Sequence, residues 1–176
     1  MKDNTIYYTI INKSKLKSIT KIKNERLETT MCFYALSLLL KLLNIKEKCI
    51  YKTKLGKPYF KNSNIHFNYS HSKNYIAVAI SKSNIGIDIE ETNRRINDVM
   101  IKQCHFTEDD SLKELVKRES YCKYTGEGIK LFFNKNNFTN INKYIKLIAN
   151  KKYICAIFSK VDKPSYRKIC ITKKIY

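Results

Sequence analysis

The sequence predicts an α+β fold of two similar α/β lobes, residues 1–83 and 84–176, on three observations. Strand-like and helix-like segments occur as a group in each half of the chain. A length of 176 residues with 43% hydrophobic content suffices for one domain or two small lobes with a real core. With Gly 4 and Pro 2 there is neither a flexible linker nor a low-complexity block, and the lobes are expected to meet near Lys82–Asn84. No repeat at the level of residue identity relates them.

Thr5–Ile11 alternates weakly and is rich in β-branched and aromatic residues, the mark of a strand. Lys13–Lys23 reads as a basic connector. A helix is expected from Asn24 to about Leu43, with Asn24 as N-cap and Glu25 and Glu28 well placed for the helix dipole. Its second half is apolar nearly all round, as in a central helix. Lys54–Phe60, KLGKPYF, reads as a turn and a short extended piece, because Gly56 and Pro58 both break helix. Ile65–Tyr69 and Tyr75–Ser81 read as strands joined by the polar turn Ser70–Asn74, Ile85–Ile89 as a third, and Thr92–Asn97 as polar loop. The next helix should open near Thr107, capped by its hydroxyl with Glu108, Asp109 and Asp110 in the first turn, and close near Thr125 before Gly126 and Gly128. The tail adds strands at Ile145–Ala149, Tyr153–Ser159 and Lys168–Thr172.

Thirty-five Lys and Arg against 15 Asp and Glu give a formal net charge of +20, which calls for an acidic or phosphorylated partner. Nucleic acid, an anionic membrane surface, an acidic protein and a nucleotide all qualify. The excess is spread along the chain and is mostly Lys among many Asn, Ile and Tyr, a mix that an AT-rich genome also produces. The six cysteines form no CxxC pair and no zinc spacing, and several sit in apolar strings, which favours a reducing cytoplasm. Met1–Asn12 lacks the long apolar stretch of a secretory signal. Met31–Leu43 is too short to span a bilayer and is interrupted by Lys41, so no membrane span is expected.

The chemistry centres on Asn84–Glu90, NIGIDIE. In a strand Asp88 and Glu90 share one face while Ile85, Ile87 and Ile89 share the other. In the second helix Leu112, Leu115 and Val116 make an apolar stripe whose next positions are Glu119 and Lys123. An acid on a core-facing stripe implies a cation or a solvent-filled cleft, since burying an unpaired carboxylate costs several kcal/mol. Three carboxylates without clustered Cys or His suit a hard ion, above all magnesium shared with a phosphate. By itself a D-x-E strand is more often a solvated face. In HFNYSHS, His66–Ser72, the side chains of Ser70, His71 and Ser72 offer donors to an anion, or form a polar hairpin. Lys57 and Arg26 can each hold a phosphate or serve as ordinary surface charge. Lys117 and Arg118 read as solvated charges, Arg94 and Arg95 as a basic loop, and Tyr121 and Tyr124 as packing residues.

Taken in order, GKPYF, HFNYSHS, IGIDIE and a helix carrying KRESYCKYTGEG resemble the 4'-phosphopantetheinyl transferases, of the type acting on nonribosomal peptide and polyketide synthetases. The resemblance runs from about Arg26 to Gly128 and again at KYICAIFS. It implies two lobes in pseudo-twofold arrangement with a coenzyme A cleft between them. The phosphopantetheine arm would pass to a serine of an acidic apo acyl or peptidyl carrier protein, releasing adenosine 3',5'-bisphosphate. Asp88, Glu90 and Glu119 match the magnesium carboxylates, and Glu119 also the general base. Lys123 matches the lysine that steadies the pyrophosphate and leaving group. Ser70 and His71, with Arg26 and Lys13 assisting, match contacts to the 3'-phosphate, and Gly56, Lys57 and Pro58 the segment beside the adenine. The chain's length favours a monomer with both lobes covalently joined, and with no aromatic-basic signature of an RNA or DNA module and no long apolar run, neither nucleic acid nor a membrane is expected as a partner of this cytoplasmic protein. Three departures stand out: Leu115 where the family has tryptophan, Arg118 where it has lysine, and a shortened stretch before Lys117 that normally helps form the carrier surface. Two other readings follow from the sequence: a basic nucleic-acid-binding protein, from the charge, and a catalytically impaired member of the same fold, from the departures.

Overall fold

A computed structural model describes residues 1–20, 28–46, 49–133 and 138–172. Its strands are β1 (Thr5–Asn12), β2 (Ile50–Lys52), β3 (Pro58–Phe60), β4 (His66–His71), β5 (Tyr75–Ser81), β6 (Gly86–Glu91), β7 (Ile145–Ala149), β8 (Tyr153–Phe158) and β9 (Ser165–Lys168). Its helices are α1 (Lys13–Thr20), α2 (Glu28–Leu42), α3 (Asp98–Cys104) and α4 (Ser111–Thr125). The fold is α+β.

Alternation decides how the layers stack. On β1 and β5, Ile11, Ile76, Val78 and Ile80 face α2, whose Met31, Leu36 and Leu39 fill that side of the core. The intervening residues Ile6, Tyr8, Ala77 and Ala79 face Ile87 and Ile89 of β6 and Cys155 and Ile157 of β8. The other side of β8 presents Ile154 and Ala156 to Val116 of α4. Two sheets thus pack face to face, with α2 outside one and α4 outside the other.

The two sheets share a connectivity. β1, a 15-residue helix and then β4 and β5 give the order β4-β5-β1; β6, a 15-residue helix and then β7 and β8 give β7-β8-β6. All these pairs are antiparallel. β9 departs from the scheme: it returns from the end of the chain to pair parallel with β1, Ile6 opposite Tyr166 and Tyr8 opposite Lys168. The first sheet therefore includes residues from both sides of residue 84.

Several expectations are corrected. The basic connector is helical over Lys13–Thr20, because Leu16 and Ile19, three apart, are buried against α2. A short helix, α3, follows the polar loop; Asn97 caps it by accepting from the Met100 amide at 2.8 Å. α4 begins at Ser111 rather than near Thr107, residues 108–110 forming a turn, and it ends on Gly126 in the left-handed region at φ 78°. The final strand is Ser165–Lys168, not Lys168–Thr172. β2, not anticipated, pairs with β3. The expected N-cap Asn24 lies outside the described residues.

Candidate active site

β6 turns Asp88 and Glu90 away from Ile87 and Ile89, onto the face that α4 covers, with Ala156 and Ile154 as their partners on β8. Glu119 and Lys123, four apart on α4, look back at them. Gly86 sets how closely the helix lies on the strand: a Cβ there would fall 2.0 Å from the Ser120 carbonyl oxygen and 2.5 Å from the Tyr124 amide nitrogen. Only glycine allows that approach.

Lys123 Nζ lies 2.6 Å from Asp88 Oδ1 and donates to Ser70 Oγ at 2.8 Å, while the Ser70 hydroxyl donates to Asp88 Oδ1 at 2.7 Å. Asp88 is 1% exposed, so its charge needs these partners. Its second oxygen, Oδ2, is buried with no hydrogen-bond partner. Glu90 Oε1 is paired with Arg94 Nη1. Burial pushes Glu119 up to about 7, Asp88 and Glu90 adding to the shift and Lys123 and Arg94 opposing it. Burial likewise raises Glu90 to about 7 against the pull of Arg94. For Lys123, burial works against the ammonium, but Asp88 and Glu119 outweigh it and hold the group above its usual range.

Glu119 and Lys123 border a cavity of about 400 Å³. Its other walls include Gly56, Lys57 and Pro58 before and at the start of β3, Asn68 and Tyr69 of β4, Met100 of α3, and Gly126, Gly128 and Phe132 beyond α4. An oxygen-only donor set with one desolvated, unpartnered carboxylate oxygen fits a hard divalent cation. As the side chains lie, no three His, Cys, Asp or Glu among the described residues stand together as an ion-holding group. The carboxylates are met instead by Lys123 and Arg94.

The other expected contacts occupy two further places. Adjacent strand residues point to opposite faces, so Ser70 reaches Asp88 while His71 reaches Glu28, its Nδ1 3.1 Å from Oε2. Lys13 Nζ pairs with the same Glu28. Burial lowers the His71 imidazole, with Glu28 opposing. Ser70 and His71 therefore stand in separate sites; Arg26 lies outside the described residues. Lys57 lines the cavity and donates to Asn84 Oδ1 at 2.7 Å and to the Tyr124 carbonyl at 2.5 Å, placing its charge at the C-terminal end of α4. Burial lowers it to about 8.

The reading of Arg118 as a solvated charge is corrected. Arg118 is 5% exposed, its guanidinium 4.6 Å from the ring centroids of both Phe106 and Phe138, with Nη2 donating to the Cys104 carbonyl at 2.9 Å. Leu115 is fully buried in the same cluster. These two departures from the family pattern thus belong to one packed unit joining α3, α4 and the segment after it. Tyr121 and Tyr124 are packing residues, both rings against Phe158. Ser70 and Arg94 were not expected as partners of the carboxylates, although Arg94 is four residues from Glu90.

No family model matches the chain. Among curated proteins it is similar to 4'-phosphopantetheinyl transferase gsp of Aneurinibacillus migulanus, 34% identical over 113 residues. The match covers 54% of this chain and 46% of the relative, so the chain spans about half the length of the curated relative it matches.

Proposed function

We propose that the chain transfers the 4'-phosphopantetheine arm of coenzyme A to a serine of an apo acyl or peptidyl carrier protein, of the kind found in nonribosomal peptide and polyketide synthetases. The observation that carries this reading is that Lys123 of α4 reaches Asp88 of β6 while bordering, with Glu119, one cavity. The named relative supports the class of reaction. The matching connectivity of the two sheets supports two lobes, 1–83 and 84–176, with the tail strand crossing back; coenzyme A would lie in the cavity that Lys57, Asn68, Glu119 and Lys123 border.

In this transfer the serine oxygen bonds to the β-phosphorus of the coenzyme A pyrophosphate, the bond to the bridging oxygen breaks, and adenosine 3',5'-bisphosphate leaves. Glu119, raised toward neutrality by burial, takes the serine proton, as a base tuned near the working pH does best. Lys123, held charged by Asp88 and steadied by Ser70, faces the negative charge that develops on the leaving side. Asp88, Glu90 and Glu119 would hold magnesium, which supplies charge neutralisation at the pyrophosphate. Lys13 and His71 would release Glu28 to grip the 3'-phosphate. The cytoplasm and a monomeric state complete the proposal; among the described residues all six cysteines are free and no helix is long and apolar enough to cross a membrane.

The test is incubation with coenzyme A, magnesium and a panel of acidic apo carrier proteins. A mass gain of one phosphopantetheine arm on a carrier is expected, lost in Glu119→Gln. No gain on any carrier together with no coenzyme A binding refutes the reading.

A further inference from the structure

The carboxylate cluster carries its own cations, and the two are held very differently. Lys123 Nζ is bonded to both Asp88 Oδ1 and Ser70 Oγ. Arg94, on the loop after β6, has Glu90 as its ion-pair partner and is 39% exposed, whereas Glu90 is 13% exposed. A guanidinium reaching in from solvent to a carboxylate on a strand is a weak, exchangeable pair. A divalent ion using Glu90 must compete with Arg94 for the same oxygen.

We propose that Arg94 is a built-in exchangeable counter-ion, seated on Glu90 in the ion-free protein and displaced into solvent when a divalent cation enters between Asp88, Glu90 and Glu119. The inference rests on the metal-dependent reading above and adds what that reading lacks, a residue that sets how tightly the ion binds. Arg94 is not part of the cavity wall; it pairs directly with Glu90 and acts on Glu119 only through its charge.

Arg95 supplies the control, because it is exposed, adjacent and of the same charge. Free Mn²⁺ is counted by electron paramagnetic resonance at pH 8 in full-length wild type, Arg94→Gln and Arg95→Gln, without coenzyme A. Each variant removes one positive charge from the same loop, so a difference between them reports the seat of Arg94 on the carboxylates, its contact being with Glu90. Arg94→Gln should bind Mn²⁺ about fivefold more tightly than Arg95→Gln, the size expected for releasing an exposed ion pair. Equal affinity in the two variants, or weaker binding in Arg94→Gln, overturns the inference and leaves the metal site standing. Absence of Mn²⁺ binding in all three proteins refutes the metal-dependent reading itself.

Discussion

Gly86→Ala is the sharpest test of how the site is assembled. The added methyl would sit 2.0 Å from the Ser120 carbonyl oxygen, 2.5 Å from the Tyr124 amide nitrogen and 3.0 Å from its Cα, all backbone atoms of α4 that cannot rotate aside. Restoring an ordinary contact of about 3.4 Å pushes the helix outward by about 1.4 Å at that point. Lys123 Nζ now lies 2.6 Å from Asp88, and the same displacement takes the pair to about 4 Å, the limit of a useful ion pair. Overpacking of this kind costs roughly 1–3 kcal/mol. Loosening the partner of a buried carboxylate adds to that, so a loss of about 2–4 kcal/mol is expected. Urea unfolding measures it as a lower midpoint at unchanged slope. The proposed phosphopantetheine transfer should fall about 100-fold, since a misplacement near 1 Å costs that much. Wild-type stability and transfer in Gly86→Ala would refute the close approach of strand and helix.

Replacing Lys123 by Met should destabilise the protein by about 2–4 kcal/mol in urea unfolding, because Asp88 is left buried without its counter-charge, and should abolish transfer. Arg118→Ala should cost about 2–4 kcal/mol by thermal or urea unfolding, by opening a void between Phe106 and Phe138 and stranding the Cys104 carbonyl; Arg118→Lys should recover only part of this. Glu90 and Glu119 titrate near 7 in the fold against an ordinary 4.5, so the folded state binds protons more readily than the unfolded chain over that range. Their contribution favours folding at low pH and is lost as pH rises through about 7; stability of the ion-free protein should therefore drop by about 2–5 kcal/mol from pH 5 to pH 8, and a flat or rising curve contradicts it.

Local periodicity made much of this legible in the sequence. Alternation fixes the shared face of Asp88 and Glu90, and the apolar stripe of α4 fixes the inward turn of Glu119 and Lys123, because both depend only on neighbours a few residues away. The divergence of Ser70 and His71 was not legible, because Ser70–Asn74 read as a polar turn whereas β4 runs on to His71 and sends the two side chains to opposite faces. α1 was hidden because six of its eight residues are polar and a single turn of burial carries it; Leu16 and Ile19 acquire meaning only when α2 is in place. Arg118 was hidden because its aromatic and carbonyl partners come from 104, 106, 132 and 138, none of them on its own helix. Gly86 carried a usable cue, since an isolated glycine opening a strand points to a backbone passing close by.

The return of β9 to β1 bears on how the chain is made. Thr5 Oγ1 and Ser165 Oγ lie 2.8 Å apart although 160 positions separate them. During synthesis, one margin of the first sheet stays bare until residue 168 has left the ribosome, offering unpaired amides and carbonyls to any passing strand. The finished β1 gains its last neighbour only after residues 165–168 have been made, and a chain arrested before residue 165 would carry that open seam into the cell.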